Sequence, residues 1–279
     1  MTKAYQRVRT LASDGAALSV TDFDGDGSSV LLLHGLAGYA GEWLPVVEAL
    51  PEHRCFALDL RGHGRSERRP QNVSADAHVG DVTRVVDELG TGRVHLVGQS
   101  FGGHIAFLVA AWHPTLVGAL VIIEASPSRP SRKSFDNLQR WLEAWPRPFR
   151  SRAQALSFFG GGRAAETWCS GLVERAGELW PRFDAYIASA CAESIRRRDW
   201  WEEWGAVQCP TLLVRGEKGD LSDKDVERMA TTGPQASVVL IPAASHNAHM
   251  DNPAAVADVL RRFLAGAEPG DVESSGSSR

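Results

Sequence analysis

Short runs of apolar residues alternate along the chain with longer segments whose apolar positions recur at helical spacing. Two alternating segments, residues 6–12 and 17–23, open the sequence, and the Asp14-Gly15 pair between them predicts a hairpin turn. Continuously apolar runs, typical of strands covered on both faces, follow at residues 29–33, 54–58, 94–97, 119–123, 211–214 and 238–241. Helical spacing occurs at residues 43–50, 75–89, 101–112, 223–230 and after Pro253. The alternation predicts an α/β fold with a mostly parallel eight-stranded sheet, an antiparallel edge and helices on both faces.

One long interval interrupts this alternation. No strand-like run occurs between residues 126 and 208, and seven of the nine tryptophans lie there. Because a structureless loop of this length is uncommon in a compact domain, we predict a helical cap inserted after the sixth strand. The expected organisation is a core in two parts, residues 1–125 and 209–265, with the cap at 126–208 and a disordered tail at 266–279.

Composition and charge narrow the function classes. The 279 residues are 43% hydrophobic and 23% charged, and 34 acidic against 30 basic side chains give a net charge of −4. These values indicate an ordinary soluble protein and no electrostatic match to nucleic acid or an acidic membrane. The four cysteines are scattered, which favours neither a zinc site nor a disulfide framework. We expect a cytoplasmic protein without metal or cofactor, and the oligomeric state stays open.

The clearest chemical motif runs from Gly98 to Gly103, directly after the strand at 94–97 and before an apolar helix. Its sequence, Gly-Gln-Ser-Phe-Gly-Gly, fits the G-x-S-x-G nucleophile elbow in its strand–turn–helix context. A strained turn holds the Ser100 hydroxyl out of the sheet, and the glycines allow neighbouring backbone to come close. The serine replaces the second glycine of a dinucleotide motif, and no Walker lysine follows, which excludes NAD or ATP sites.

Four more segments extend this motif into a family resemblance. They are His34–Gly38 (HGLAG), residues 59–66 (DLRGHGRS), 216–220 (GEKGD) and 245–247 (SHN). With the elbow, they stand in the order and spacing of the α/β-hydrolase fold family, which the chain resembles over residues 5–265. The resemblance implies the capped α/β-hydrolase fold and a hydrolase without cofactor. Serine at the elbow separates the chain from the dehalogenase and epoxide-hydrolase branches, which use aspartate there.

Ser100 needs a base, and a histidine held by a carboxylate supplies one. His246 fits because it follows a late strand, at the sheet edge where catalytic loops gather, and comes last in the order serine, acid, histidine. His249 stands three residues further on, but we interpret it as a residue of a first helical turn and not as a metal ligand.

Two carboxylates compete for the role of the acid. Asp220, in the loop after the strand at 211–214, is favoured because this position suits a carboxylate that orients the imidazole. Glu124 ends the preceding strand, from which some members of the family supply their acid. It is therefore an alternative acid or a supporting partner.

Backbone amides and cap tryptophans complete the predicted site. The elbow geometry makes the Phe101 amide one oxyanion donor, and the resemblance implies the Leu36 amide as the other. We expect Trp141, Trp145 and Trp168 to line the cavity under the cap. These rings, and the lack of a clustered basic motif, predict a largely apolar small-molecule substrate, such as an ester, lactone or thioester. A C–C bond hydrolase, an acyltransferase or cyclase, and a ligand-binding receptor with little turnover stay open as alternatives.

Overall fold

The computed structural model describes residues 7–234 and 236–267. Its strands are β1 (Arg7–Ser13), β2 (Ala16–Asp22), β3 (Ser29–Leu33), β4 (Arg54–Asp59), β5 (Val94–Gln99), β6 (Val117–Ile123), β7 (Val173–Arg175), β8 (Glu178–Trp180), β9 (Thr211–Lys218) and β10 (Ala236–Ser245). Its α-helices are α1 (Leu44–Val47), α2 (Ala75–Leu89), α3 (Phe101–Trp112), α4 (Arg132–Ala144), α5 (Arg152–Phe158), α6 (Gly162–Ser170), α7 (Ala185–Ile195), α8 (Trp201–Ala206), α9 (Asp223–Thr231), α10 (Ala248–Asp251) and α11 (Pro253–Ala267).

Eight of these strands form one sheet in the order β1-β2-β4-β3-β5-β6-β9-β10. β2 pairs antiparallel with β1 and with β4, and the remaining neighbours pair in parallel. Asp14 and Gly15 form the first turn with positive φ values of 25° and 72°, as the Asp-Gly pair predicts. The predicted mostly parallel sheet with an antiparallel edge is confirmed.

Apolar residues cover the sheet on both faces. α2 and α3 pack on one face, and α1 and α11 pack on the other. Because successive residues of a strand point to opposite faces, Leu31 and Leu33 of β3 belong to the first core and Val30 and Leu32 to the second. This two-sided burial explains why the central strands are continuously apolar in sequence.

The interval between β6 and β9 contains five helices, α4–α8, and an antiparallel hairpin, β7–β8. The sequence reading predicted helices but not the hairpin, whose three-residue strands carry charged side chains and form no apolar run. Residues of α4–α7 and their connections pack into a separate apolar cluster. The two ends of the interval meet where the Trp200 amide donates to the Pro127 carbonyl oxygen at 2.8 Å.

α8 lies within the predicted cap but packs with the core. Trp204 is fully buried against Phe107 of α3, with the two rings perpendicular and 6.1 Å apart. Its indole nitrogen donates to the carbonyl oxygens of Met229 and Thr232 at 3.2 and 2.5 Å. This helix is therefore part of the core layer that covers the sheet.

The C-terminal helix α11 ends at Ala267, beyond the predicted core boundary at residue 265. The rest of the predicted disordered tail, residues 268–279, lies outside the described residues. Among the described helices, none combines the length and the apolar composition that a membrane crossing requires.

Candidate active site

Ser100 stands in the sharp turn between β5 and α3. Its φ of 51° and ψ of −116° form a backbone conformation that residues other than glycine rarely adopt. The turn is fixed because the Ser100 amide donates to the Ile123 carbonyl oxygen of β6 at 2.8 Å. A Cβ atom at Gly98 would collide with the Gly102 carbonyl oxygen, so the turn requires glycine before the serine.

The His246 imidazole lies between the two carboxylates that the sequence proposed as acids. Its Nδ1 atom is 3.5 Å from Oε2 of Glu124 and 3.5 Å from Oδ2 of Asp220. Both separations exceed an ordinary hydrogen bond, and Nδ1 makes none within the described chain. Catalytic hydrogen bonds are often long in a ligand-free enzyme and shorten in the reacting complex.

Glu124 differs from Asp220 in its environment. The Glu124 side chain is fully buried, whereas that of Asp220 is 82% exposed. Glu124 accepts hydrogen bonds from the amides of Gly216 and Asp220, each at 2.8 Å, and of Leu221 at 3.1 Å. Burial pushes the Glu124 pKa upward, but the interactions with His246 and with the Gly216 and Asp220 amides outweigh it and hold that pKa below its ordinary value. Of the two acids, Glu124 is the buried and preorganised one.

A cavity of about 430 Å³ contains both Ser100 and His246 on its wall. The two predicted oxyanion residues, Leu36 and Phe101, also line it. The loop that carries Leu36 runs close to the nucleophile, since a Cβ atom at Gly35 would lie 3.3 Å from the Ser100 Cβ atom. The structure therefore brings the sequence-predicted serine, histidine, both acids and both oxyanion residues to one place.

The three tryptophans predicted to bind substrate lie elsewhere. Trp145 packs its ring 4.9 Å from Phe183 and 5.3 Å from Trp168, within the apolar cluster of the cap. Trp141 packs 5.3 Å from Trp145 and is 37% exposed. Trp145 and Trp168 border a separate void of about 10 Å³. These two rings belong to the apolar core of the cap, Trp141 packs beside them, and none of the three lines the cavity.

The cavity wall instead combines a larger apolar lining with polar side chains that the sequence reading did not predict. The apolar lining residues include Leu36, Phe101, Phe135, Leu138, Ile195 and Leu221. The polar lining residues include Ser126, Ser128, Arg129, Ser131, Ser134, Ser222 and Asp225. A sequence signal for these polar residues existed, because three serines and an arginine follow the end of β6 within eight residues, at positions 126–131.

Two further residues that sequence reasoning missed hold the loop around His246. The Gln99 side-chain amide donates to the His246 carbonyl oxygen at 2.9 Å. The Asp251 carboxylate accepts from the Ser245 amide at 2.8 Å and from the Ser245 hydroxyl at 2.5 Å.

His249, the second histidine of the H-x-x-H spacing, is hydrogen-bonded to Glu42. No group of three or more His, Cys, Asp or Glu side chains in the described ranges could hold a metal ion.

Comparisons with known proteins agree with this geometry. The family described as alpha/beta hydrolase fold matches residues 28–253. The chain is 26% identical to the sn-1-specific diacylglycerol lipase ABHD11 of Danio rerio, over 92% of this chain and 84% of that protein. It is 25% identical to 2-(acetamidomethylene)succinate hydrolase of Mesorhizobium japonicum, over 86% and 89% of the two chains. A crystal structure of E-2-(acetamidomethylene)succinate hydrolase has a TM-score of 0.85 at 24% identity and covers 94% of this chain and all of that one (100%).

The environment of Glu124 predicts a pH-dependent contribution to stability. Its folded pKa lies below the unfolded value of about 4.3, so the carboxylate stabilises the fold above that pH, and the contribution disappears as pH falls through the folded pKa. We expect Glu124→Gln to lower the free energy of unfolding at pH 7, with the deficit narrowing below about pH 4. Urea unfolding at pH 7 and below about pH 4 measures the difference in free energy of unfolding between the variant and the wild type. Asp220→Asn is the control and should stay within about 0.5 kcal/mol of the wild type; an equal loss in both variants would contradict the assignment.

Proposed function

Because the chain belongs to the α/β-hydrolase fold family and is a hydrolase of ester or related acyl bonds, we propose that it works as a serine hydrolase with Ser100 as nucleophile. In this proposal His246 is the general base and Glu124 is the acid that orients it. The observation that carries the proposal is one cavity with three groups on its wall: a serine in a strained elbow, an imidazole, and a buried carboxylate facing that imidazole.

The reaction follows from the chemistry of these groups. Ser100 Oγ attacks the carbonyl carbon of the substrate while His246 Nε2 takes the hydroxyl proton. The backbone amides of Leu36 and Phe101 donate to the oxygen that becomes negative, and the N-terminus of α3 favours the same charge. His246 then passes the proton to the leaving group, and an acyl-enzyme remains. Water attacks the acyl carbon, gives its proton to His246 and releases the acid, and the proton returns to Ser100.

Glu124 is a better acid for this mechanism than Asp220, which the sequence favoured. A carboxylate stabilises an imidazolium more strongly where water screens the interaction less, and the Glu124 side chain is fully buried. The three amides that bind Glu124 also fix its position. Because these donors are backbone groups, they lose no side-chain conformational entropy when they bind the carboxylate. Asp220 is largely exposed, so its attraction for the ring is screened.

The cavity limits the substrate to a small molecule. Its volume of about 430 Å³ lies at the low end of the range for small-molecule sites, roughly 300–1,000 Å³. The apolar lining, with Phe135 and Leu138, suits a hydrocarbon part of the substrate. The serine hydroxyls on the wall suit a polar part.

Arg129 supports a carboxylate as that polar part. Arg129 is the one lysine or arginine among the described residues that line the cavity; its side chain is exposed and makes no ion pair within the described chain. The acidic groups nearby are engaged: Glu124 and Asp220 face the imidazole, and Asp225 accepts from the Ser128 hydroxyl at 2.6 Å. The relative from Mesorhizobium japonicum is named for a succinate derivative, which agrees with a substrate that carries carboxylates.

A fluorophosphonate tests the nucleophile. We expect the wild type to gain one covalent adduct on Ser100, because the elbow presents an activated hydroxyl, and to hydrolyse a 4-nitrophenyl ester. Ser100→Ala should lose the adduct and at least about 10³-fold of kcat/KM. Mass spectrometry of the labelled protein and the release of 4-nitrophenol measure the two effects. An adduct that persists in Ser100→Ala, or a wild type without adduct and turnover, would overturn the proposal.

The two acids are separated by a matched pair of amide substitutions. Glu124→Gln should lower kcat about 10²- to 10⁴-fold, because the imidazolium loses its buried counter-charge. Asp220→Asn should lower kcat by less than about fivefold, the effect of an exposed ion pair. Steady-state kinetics on the same 4-nitrophenyl ester measure both values. The reverse ranking would assign the acid to Asp220.

Substrate charge is tested with the 4-nitrophenyl monoester of adipic acid and its neutral amide, the adipamate. We expect the wild type to prefer the anion about tenfold in kcat/KM, since Arg129 provides a charge-assisted hydrogen bond. Arg129→Gln should remove that preference and leave the adipamate rate unchanged. Arg132→Gln is the control, because Arg132 pairs with Asp136 on α4 and does not line the cavity. Equal wild-type rates on the two esters would contradict the carboxylate assignment alone.

A further inference from the structure

A second acid–histidine pair lies behind the proposed active site. Glu42 Oε1 and His249 Nε2 are 2.9 Å apart, and their side chains are 1% and 0% exposed. Neither residue lines the cavity. We propose that Glu42 and His249 are positioning residues that fix the oxyanion loop (residues 34–38) against the histidine turn (residues 245–251). The inference rests on the proposed function, which places the catalytic groups Leu36 and His246 in these two segments.

Glu42 holds the oxyanion loop from behind. It belongs to the short 3₁₀ helix Ala40–Trp43 that follows the loop, and its Oε2 atom accepts from the Tyr39 amide at 3.1 Å. The same oxygen lies directly under Gly38, since a Cβ atom there would come within 2.6 Å of it. The carboxylate therefore fills the space behind the turn that the Gly38 amide closes onto the Gly35 carbonyl oxygen at 3.1 Å. Leu36, the proposed oxyanion donor, lies inside that turn.

His249 holds the histidine turn at its other end. It lies on α10, whose first hydrogen bonds run from the Met250 and Asp251 amides to the Asn247 carbonyl oxygen. The Trp43 ring packs against the His249 ring with 4.4 Å between centroids. Trp43 ends the 3₁₀ helix that follows the oxyanion loop, so this contact also joins the two segments. His246 thus stands in a turn whose start is fixed by Asp251 and whose end is fixed by Glu42.

The hydrogen bond has a single possible direction. Glu42 as a carboxylate can only accept, so His249 Nε2 donates its proton. His249 Nδ1 is buried and has no hydrogen-bond partner in the described chain. The hydrogen bond to Glu42 is therefore the one that holds the ring within the described chain, and a residue without such a donor would leave the buried Glu42 Oε1 atom without its partner.

The consequence for catalysis is geometric. The Leu36 amide and the His246 imidazole reach Ser100 from segments that are far apart in sequence, and a misplacement of about 1 Å can cost about 100-fold in rate. A link that sets their separation acts on the groups that meet the transition state, whereas the cavity residues of α4, such as Phe135 and Leu138, lie outside both linked segments. Its loss should lower kcat and change KM little.

We test the pair by replacing it with apolar residues. Exchange of both partners of a buried hydrogen bond for apolar residues of similar size can be nearly neutral for stability, so Glu42→Leu/His249→Leu should fold with a Tm close to the wild type. Its kcat on a 4-nitrophenyl ester should fall about 10- to 100-fold, with KM within about threefold. His249→Leu alone should fall at least as far, whereas His249→Gln, whose side-chain amide can replace the Nε2 donor, should keep kcat within about threefold of the wild type.

The control is His53→Leu. His53 is a buried histidine bonded through Nδ1 to the Ser28 hydroxyl at 2.9 Å, and it precedes β4 at the sheet edge opposite the cavity. This variant should lower Tm and keep kcat. Wild-type kcat in the folded double variant, or equal kcat losses in His249→Leu and His249→Gln, would overturn the inference and leave the proposed function standing. A wild type without turnover would overturn the proposed function and the inference with it.

Discussion

The site depends on one steric constraint: the Ser100 turn, at the end of β5, is held between the ends of the neighbouring strands β3 and β6. A Cβ atom at Gly102 would collide with the Leu33 carbonyl oxygen at the end of β3, and the Ser100 amide is bonded to Ile123 at the end of β6. The turn cannot relax into an ordinary backbone conformation while β3, β5 and β6 stay packed side by side. Close packing of the sheet therefore keeps the hydroxyl at the cavity wall. The packing that stabilises the fold also sets the geometry of the nucleophile.

Burial of a carboxylate next to this turn would be costly without compensation. The end of β9 and the loop after it, residues 216–221, provide this compensation with three amides that donate to Glu124. Gly219 takes part by its lack of a side chain, because a Cβ atom there would collide with the Glu124 carboxylate. The loop that the sequence presents as the source of the acid thus serves as the binding site of another acid. In this arrangement the negative charge is oriented by the backbone before the imidazole meets it.

The sequence predicted the parts that follow from periodicity and local motifs, and it failed where long-range packing decides. The sheet, its antiparallel edge, the Ser100 elbow and the convergence of His246 with two carboxylates follow from strand order and from turn chemistry. Burial could not be predicted in the same way: Asp220 and Glu124 both follow strands, and only the folded loop leaves one exposed. The tryptophans mark an apolar cluster, but sequence does not say whether such a cluster faces a cavity or its own interior.

The clasp between Trp200 and Pro127 has a mechanical consequence for access to the cavity. It joins the outgoing and returning chain of the insertion at one point, and the next helix, α8, is anchored in the core through Trp204. α6 and the segment before α7 are tied to the core as well, because the Tyr39 hydroxyl donates to the Thr167 carbonyl oxygen at 3.1 Å and the Arg68 guanidinium donates to the Pro181 and Phe183 carbonyl oxygens at 3.1 and 2.8 Å. A displacement of the whole insertion would therefore have to break these hydrogen bonds together with the one between Trp200 and Pro127.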